Sequence, residues 1–147
     1  VTLSVTTLDA GLAGRLEPRA SRPEHRLRAI RLLADAGVPV TVNVAPLIPG
    51  LTDHELPALL EAAAAAGATR ANYIVLRLPH AVKDLFLDWL AAHEPGKRER
   101  VVARVRELRG GKLYDADFAR RGRGEGIFAE QLRQLFAVTT RRLGLGR

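Results

Sequence analysis

The sequence predicts an α/β fold that forms the back half of a larger α/β barrel. Three segments, residues 1–6, 38–45 and 70–78, have the alternation and the β-branched residues of strands, and helical segments separate them. Strands joined by helices of this length form right-handed crossovers and a parallel sheet. Three parallel strands cannot close a barrel, and residue 1 already lies in a strand. We therefore expect the missing strands to precede it.

The helices between the strands begin and end at recognisable residues. Asp9 is placed to cap a short helix through residue 16. Ser21 and Glu24 have the spacing of a capping box, which predicts a helix that ends at Gly37. Thr52 and Glu55 repeat that spacing, and Gly67 ends the helix that follows. Apolar periodicity predicts three further helices, over residues 82–93, 97–109 and 127–143.

The composition excludes several classes of site. The chain has no Cys, so it can form no disulfide, no thiolate metal site and no Cys nucleophile. It has no apolar run of the roughly 18 residues that a membrane span needs, and it does not open on a signal peptide. A cytoplasmic location is the expectation.

The positive charge lies in the second half of the chain. Residues 1–75 carry seven basic and seven acidic residues, whereas residues 76–147 carry 16 and nine, which accounts for the whole net charge of +7. This asymmetry predicts an anionic partner such as nucleic acid or a phosphate group. The alternative is a solvated arginine-rich surface with no partner, since 20 of the 23 basic residues are Arg, a bias that a GC-rich genome produces by itself.

The carboxyl ends of parallel strands are where such folds place their sites. This rule selects residues 6–9, 46–52 and 77–80. In the second of these loops Gly50 allows close approach of a ligand, and the helix after Thr52 directs its first amides at the same space. The alternative is a rigid, well-capped connection that binds nothing.

Residues 26–55 resemble the later strands of radical S-adenosylmethionine enzymes. The fifth strand of that family carries Gly-x-Ile-x-Gly-x-x-Glu, and residues 46–53 of this chain read Pro-Leu-Ile-Pro-Gly-Leu-Thr-Asp. Ile48 and Gly50 match, whereas Pro46 replaces the first Gly and Asp53 replaces the Glu. Four stretches together, residues 17–21, 45–50, 76–80 and 108–115, resemble the spore photoproduct lyase-like group, which is related to DNA-repair photolyases.

The resemblance implies that this chain is the C-terminal half, about three βα units, of a partial (βα)6 TIM-like barrel plus C-terminal helices. Residues 1–96 would be the βα units, and residues 97–147 a basic helical extension with an Arg/Gly-rich loop. The N-terminal half of the same barrel, the chain's expected partner, would hold a [4Fe–4S] cluster on a Cys-x-x-x-Cys-x-x-Cys loop. Cleavage of S-adenosylmethionine there would give a 5′-deoxyadenosyl radical for hydrogen abstraction, with DNA or another nucleic acid as candidate substrate. This chain has no thiolate for the cluster, so by itself we expect it to be inactive.

The resemblance also implies cofactor-binding residues. Ser4 matches a fourth-strand hydroxyl that binds the ribose of S-adenosylmethionine, and Asn43 is an inward polar residue of the fifth strand. Ile48 would pack on the adenine, and Gly50 would give it room. The backbone at Val75 and Leu76 would meet the adenine edge. The alternatives are polar residues satisfied inside a barrel for the first pair and plain core residues for the last.

Four residues are candidates for binding the substrate. Arg77 and His80 follow the last strand and have the chemistry to orient a phosphate or a carboxylate. Tyr114 and Arg123 lie in the long Arg/Gly-rich stretch, which we interpret as a lid or a substrate-contact segment. For Arg77 the alternative is a surface arginine paired with an acid.

Two other functions are open. The basic region after residue 97 predicts a nucleic-acid-binding module without catalysis. The chain also has the pattern of a half-barrel from another α/β enzyme, such as an aldolase. A Schiff-base version of the latter is disfavoured, because no Lys stands at a strand end.

Overall fold

The computed structural model describes residues 1–108 and 126–146, apart from the side chain of His80. Tyr114 and Arg123 therefore lie outside the described residues. In the described part, three parallel strands alternate with six α-helices, which confirms the predicted α/β class. Closure into a TIM-like barrel stays a prediction. The elements, in chain order, are β1 (Thr2–Ser4), α1 (Ala10–Leu16), α2 (Pro23–Asp35), β2 (Thr41–Leu47), α3 (Leu56–Ala66), β3 (Arg70–Val75), α4 (His80–His93), α5 (Arg98–Leu108) and α6 (Ile127–Leu143), with short 3₁₀ helices at Asp53–Glu55 and Pro95–Lys97.

The strands lie in chain order, β1-β2-β3, and all neighbours are parallel. Side chains alternate between the two faces of the sheet, because successive residues of a strand point in opposite directions. One face carries Val42, Val44, Tyr73 and Val75, each 1% exposed or less. The other face carries polar residues that are exposed or half-buried: Thr2, Ser4, Thr41, Asn43, Arg70 and Asn72.

The strands run longer or shorter than predicted. The second strand continues through Leu47, beyond the predicted end at residue 45, because the register shifts between Val44 and Leu47. That irregularity returns Leu47 to the apolar face, where it is fully buried. The third strand ends at Val75 rather than at residue 78, and the residues that follow it belong to a loop.

The main core lies between the apolar face of the sheet and helices α2, α3 and α6. Its largest members from the helices are completely or almost completely buried: Ile30, Leu56, Leu59, Leu60, Leu132 and Phe136. Burying one such side chain contributes about 1.5–3 kcal/mol. The ring of Phe136 lies 4.8 Å from the ring of Tyr73 on β3, so α6 shares this core with the sheet. The predicted domain boundary after residue 96 stays a prediction.

A second apolar cluster lies beyond the carboxyl ends of the strands. It combines Ile48 and Leu51 from the loop after β2 with Leu76 and Leu78 from the loop after β3. Helices α1, α4 and α5 contribute the rest of it: Leu12, Leu90, Val101 and Val105. The loops at this end of the sheet are therefore packed by helices, and only part of their surface faces solvent.

The two edges of the sheet differ. Beside β3, the Ala71 amide donates to the Gly146 carbonyl at 2.9 Å, and the Gly146 amide donates to the Thr69 carbonyl at 2.9 Å. The C-terminal segment thus occupies that edge. Within residues 1–108 and 126–146, no strand pairs with the outer edge of β1. Arg26 Nη1 from α2 donates to the Ser4 carbonyl there at 2.7 Å.

The helix ends agree only partly with the sequence. Asp9 caps α1, since its Oδ1 accepts from the Leu12 amide at 3.0 Å, as predicted. The capping box at Ser21 is wrong: Arg22 is the cap residue, it makes no side-chain cap bond, and Pro23 is the first helical residue. Proline is well suited to that position because its missing N–H has no partner there anyway.

Gly67 is required where α3 ends. Its φ is +112°, in the left-handed region, and a Cβ at this position would lie 2.5 Å from Ala34 Cβ. Gly37 ends α2 with a similar φ of +81° but has open space around it. Both glycines therefore have a backbone conformation that other residues rarely adopt, but only at Gly67 would a side chain also clash with a neighbour.

We expect Gly67→Ala to lower the free energy of unfolding by about 2–4 kcal/mol, because the methyl group adds a clash to the left-handed strain. Gly37→Ala is the matched control, with an expected loss of about 1–2 kcal/mol from the backbone alone. Urea unfolding followed by circular dichroism measures both. Equal losses would mean that the contact with Ala34 does not constrain this helix end.

Candidate functional site

A row of polar side chains crosses the sheet on the face away from the main core. Ser4, Asn43 and Asn72 occupy the same register on the three strands, so their side chains point to the same face. Asn43 Oδ1 is buried and accepts no hydrogen bond from the described residues. A buried amide oxygen without a donor costs about 1–3 kcal/mol. The oxygen thus lacks a donor among the described residues, and its predicted contact with a cofactor stays a prediction.

The connection after β1 is held by its own threonines. Thr6 and Thr7 are both almost completely buried. Thr6 Oγ1 donates to the Ala45 carbonyl of β2 at 3.0 Å. Thr7 Oγ1 donates to Glu55 Oε2 at 2.5 Å and accepts from the Asp9 amide at 3.1 Å. Two adjacent hydroxyls thus attach the end of β1 to the neighbouring strand and to the loop beyond it.

Glu55 does not form the capping box that its spacing from Thr52 predicts. Thr52 Oγ1 accepts from the Ile48 amide at 2.8 Å, inside the loop after β2. The Glu55 carboxylate instead accepts from Thr7 Oγ1 and, through Oε1, from the Leu8 amide at 3.0 Å. The predicted box is therefore wrong, because a partner 47 residues away in sequence takes the carboxylate that the local pattern assigned to the helix.

The loop after β2 satisfies most of its own backbone. The Gly50 amide donates to Asp53 Oδ1 at 2.9 Å, and the amides of Leu51 and Thr52 donate to the Ile48 carbonyl at 3.0 and 2.8 Å. These groups already have partners within the loop. All three precede the helix, so the ligand-facing role predicted for its first amides, after Thr52, stays a prediction.

Ile48 and Gly50 lie against protein. Ile48 is 1% exposed within the second apolar cluster. A Cβ at Gly50 would lie 3.3 Å from the backbone of Val101, so the close approach that this glycine permits is made by α5. The roles assigned to these two residues, adenine packing and space for adenine, stay predictions.

Val75 ends β3 at the carboxyl edge of the sheet, and Leu76 is the first residue of the loop that follows. Val75 belongs to the main core and Leu76 to the second cluster. The Leu76 amide donates to the Leu47 carbonyl at 2.9 Å. Arg77 is exposed, and His80 is the first residue of α4. The structure therefore gathers most of the predicted residues at one edge, and their contacts with a ligand stay predictions.

A polar cleft of about 120 Å³ adjoins Glu55, between α1 and the 3₁₀ helix at Pro95–Lys97. It is lined by both signs of charge, and Arg15 Nη2 lies 3.0 Å from Glu94 Oε1 across it. Its charged and titratable lining residues are Asp9, Arg15, His54, Glu55, Glu94 and Lys97.

Residues 1–108 and 126–146 contain no group of three or more His, Asp or Glu side chains arranged to hold a metal ion. The sequence has no Cys. An iron–sulfur cluster therefore does not fit the described residues, whereas the row that contains Asn43 offers a buried oxygen that lacks a donor. No helix in the described ranges is long and apolar enough to cross a membrane.

The sequence rule selected residues 6–9 as a location but gave no role to Thr6 and Thr7, and it did not place Glu55 or Arg26 there. A signal for the first three existed: two hydroxyls follow a strand directly, and an acidic residue follows the next strand of a parallel sheet. Parallel neighbours place such loops side by side. The signal was weak, because the same Glu also completed a plausible local capping pattern.

Comparison with known proteins finds relatives of greater length. Uncharacterized proteins of Mycobacterium bovis and Mycobacterium tuberculosis are 36% identical over 110 residues, which is 74% of this chain and 31% of theirs. PqqA peptide cyclase of Granulibacter bethesdensis is 39% identical over 70 residues, 48% of this chain and 18% of the cyclase. The chain thus spans less than a third of the curated relatives it matches. No family model and no solved structure matches it.

We expect Asn43→Leu to leave the free energy of unfolding unchanged or to raise it, because leucine has nearly the same shape and removes an unpartnered buried oxygen. Thr6→Val is the contrasting variant: it removes a satisfied hydroxyl and should cost about 1 kcal/mol. Thermal and urea unfolding measure both. A loss of more than 1 kcal/mol for Asn43→Leu would show that the oxygen is already satisfied within the protein.

Proposed function

We propose that this chain is the C-terminal part of a radical S-adenosylmethionine iron–sulfur enzyme and supplies part of its cofactor and substrate pocket. The observation that carries the proposal is the 39% identity over 70 residues to PqqA peptide cyclase, which is a radical S-adenosylmethionine enzyme. The match of Ile48 and Gly50 to the family's fifth-strand pattern points the same way. The narrower assignment to the spore photoproduct lyase-like group rests on the sequence resemblance alone.

The arrangement of the layers supports a half-barrel. Both crossover helices, α2 and α3, pack on the same face of a sheet whose strands follow chain order. A doubly wound sheet would place helices on both faces, whereas a TIM-like barrel places them all outside and turns the other face inward. The inward face would be the one that carries Ser4 and Asn43. The edge at β3 is occupied by Gly146, so further strands would join at β1.

In this proposal the cofactor contacts come from the polar row. Asn43 Oδ1 accepts a hydrogen bond from S-adenosylmethionine, and the Ser4 hydroxyl beside it binds the ribose. The carboxyl end of β3 at Val75 and Leu76 forms the adjoining wall, and Ile48 and Gly50 shape the loop behind it. When bound, S-adenosylmethionine supplies the radical that abstracts hydrogen from the substrate. The cluster that cleaves it would be held by cysteines outside this chain.

The substrate end of the proposed pocket lies after β3. Arg77 is exposed at this point, and a guanidinium binds phosphate or carboxylate through two parallel hydrogen bonds. His80, Tyr114 and Arg123 are the other proposed substrate contacts. A nucleic acid is the substrate class that the resemblance suggests, and the name of the cyclase shows that a related protein acts on a peptide.

The proposal is tested on the full-length polypeptide, purified without oxygen. We expect iron and sulfide in the ratio of one [4Fe–4S] cluster per chain, and 5′-deoxyadenosine on addition of dithionite and S-adenosylmethionine, measured by liquid chromatography. In that protein Asn43→Leu should raise the Kd for S-adenosylmethionine about tenfold, the equivalent of one lost hydrogen bond. A wild-type protein without iron and without 5′-deoxyadenosine would refute the proposal.

A basic nucleic-acid-binding module is the second candidate. Arg98, Arg100 and Arg106 on α5 are exposed, and none of them forms an ion pair with another described residue. Arg98 and Arg106 also line a groove of about 320 Å³ between α4 and α5. Unpaired arginines on one helix are the kind of surface that binds phosphates.

We expect neutralisation of these three arginines to glutamine to weaken binding of a DNA duplex and to reduce the slope of log Kd against log salt by about three. The control variant neutralises Arg22, Arg133 and Arg142, which form ion pairs, and so removes the same charge elsewhere. Fluorescence anisotropy at several salt concentrations gives the slopes. Equal slopes for the two variants would mean that α5 is not the binding surface.

A further inference from the structure

We propose that Glu55 is a positioning residue that sets the carboxyl end of β1, and with it the polar row at Ser4 and Asn43. Its two carboxylate oxygens each take one donor from the same short segment. Oε2 accepts from Thr7 Oγ1 at 2.5 Å, and Oε1 accepts from the Leu8 amide at 3.0 Å. The part of this inference that concerns a ligand, S-adenosylmethionine, rests on the proposed function.

The hydrogen bonds of Glu55 connect the segment after β1 with the segment after β2. Glu55 ends the 3₁₀ helix that follows the β2 loop, whereas Thr7 and Leu8 follow β1. Hydrogen bonds to an ionised acceptor are shorter and roughly twice as strong as neutral ones. Thr7 is 1% exposed, so water cannot easily replace the carboxylate as the acceptor of its hydroxyl. The bond therefore fixes the path of the chain after β1.

The segment between Ser4 and Leu8 is held from two further directions. Thr6 Oγ1 donates to the Ala45 carbonyl, which ties the segment to β2. Arg26 Nη1 donates to the Ser4 carbonyl at 2.7 Å from the opposite edge of β1, and Arg26 lies 3.8 Å from Glu17. Of these ties, the Glu55 carboxylate alone connects the segment to the loop after β2. Its loss should therefore loosen the end of β1 while the sheet remains intact.

The first test replaces Glu55 with glutamine. A glutamine side chain has the same shape but only one acceptor oxygen, so either the Thr7 hydroxyl or the Leu8 amide loses its partner. The matched control is Glu61→Gln, the same change on α3, where the carboxylate forms an exposed ion pair with Arg142 at 2.6 Å. Because Glu55→Gln risks misfolding, Thr7→Val and Thr7→Ser form a second pair, which removes and retains the hydroxyl.

Two readouts separate positioning from simple stability. In the 147-residue chain and in the full-length protein, hydrogen exchange reports the protection of the Leu8 amide. In the full-length protein, equilibrium dialysis gives the Kd for S-adenosylmethionine. We expect Glu55→Gln and Thr7→Val to speed Leu8 exchange and to raise the Kd, each about tenfold. Glu61→Gln and Thr7→Ser should stay within about twofold of wild type in both readouts.

Any result other than the two expected changes contradicts the inference. Unchanged Leu8 exchange in Glu55→Gln would show that the carboxylate does not hold the segment. Faster exchange with an unchanged Kd would show that the segment does not position the ligand site. A wild-type protein that binds no S-adenosylmethionine would refute the proposed function and the cofactor role of Glu55 together, while the exchange data would still decide whether Glu55 fixes the loop.

Discussion

The structure depends on the two-faced character of a short parallel sheet. Alternation along β2 and β3 sends Val42, Val44, Tyr73 and Val75 to one face, where three helices bury them, and leaves the polar residues on the other. Parallel sheets are normally covered on both faces. Among the described residues, the helices that bury this sheet pack on its apolar face, and the polar face carries the side chains predicted to contact a cofactor.

The sequence was sufficient for the elements and insufficient for the ties between them. Strand and helix periodicity is a local property, and so are the Asp9 cap and the end of α3 at Gly67. The cap, this helix end and the existence of the three strands were predicted correctly, whereas the strand bounds were not. The Thr52–Glu55 pattern is also local, yet the carboxylate of Glu55 binds Thr7 and Leu8. The hydrogen bond of a capping box is weaker than a charge-assisted hydrogen bond to a buried hydroxyl. A local sequence pattern around Glu55 also cannot show that Thr7 and Leu8 lie beside it in the fold.

The candidate site was predictable as a location but not as a geometry. The rule that sites lie at the carboxyl ends of parallel strands selected the loops after β1, β2 and β3, and the structure places these loops at one end of the sheet. The alignment of Ser4 with Asn43 follows from the register, which depends on how the crossover helices pack and therefore on the whole fold. The burial of Ile48 and the close contact of Gly50 with Val101 depend on α5, about 50 residues later in the chain, and nothing in the loop itself indicates these contacts.

The unsatisfied oxygen of Asn43 connects stability with function. A sheet face optimised for folding alone would pair that oxygen or replace it with an apolar group, because the buried amide lowers stability without a ligand. Deviations from local optimality concentrate at functional sites, where binding recovers the lost energy. The carboxylate of Glu55, two hydroxyls and Arg26 then hold the strand beside it in one position. In the proposed function, this rigid surround would make the Asn43 oxygen selective, because a ligand would have to bring its donor to a fixed point.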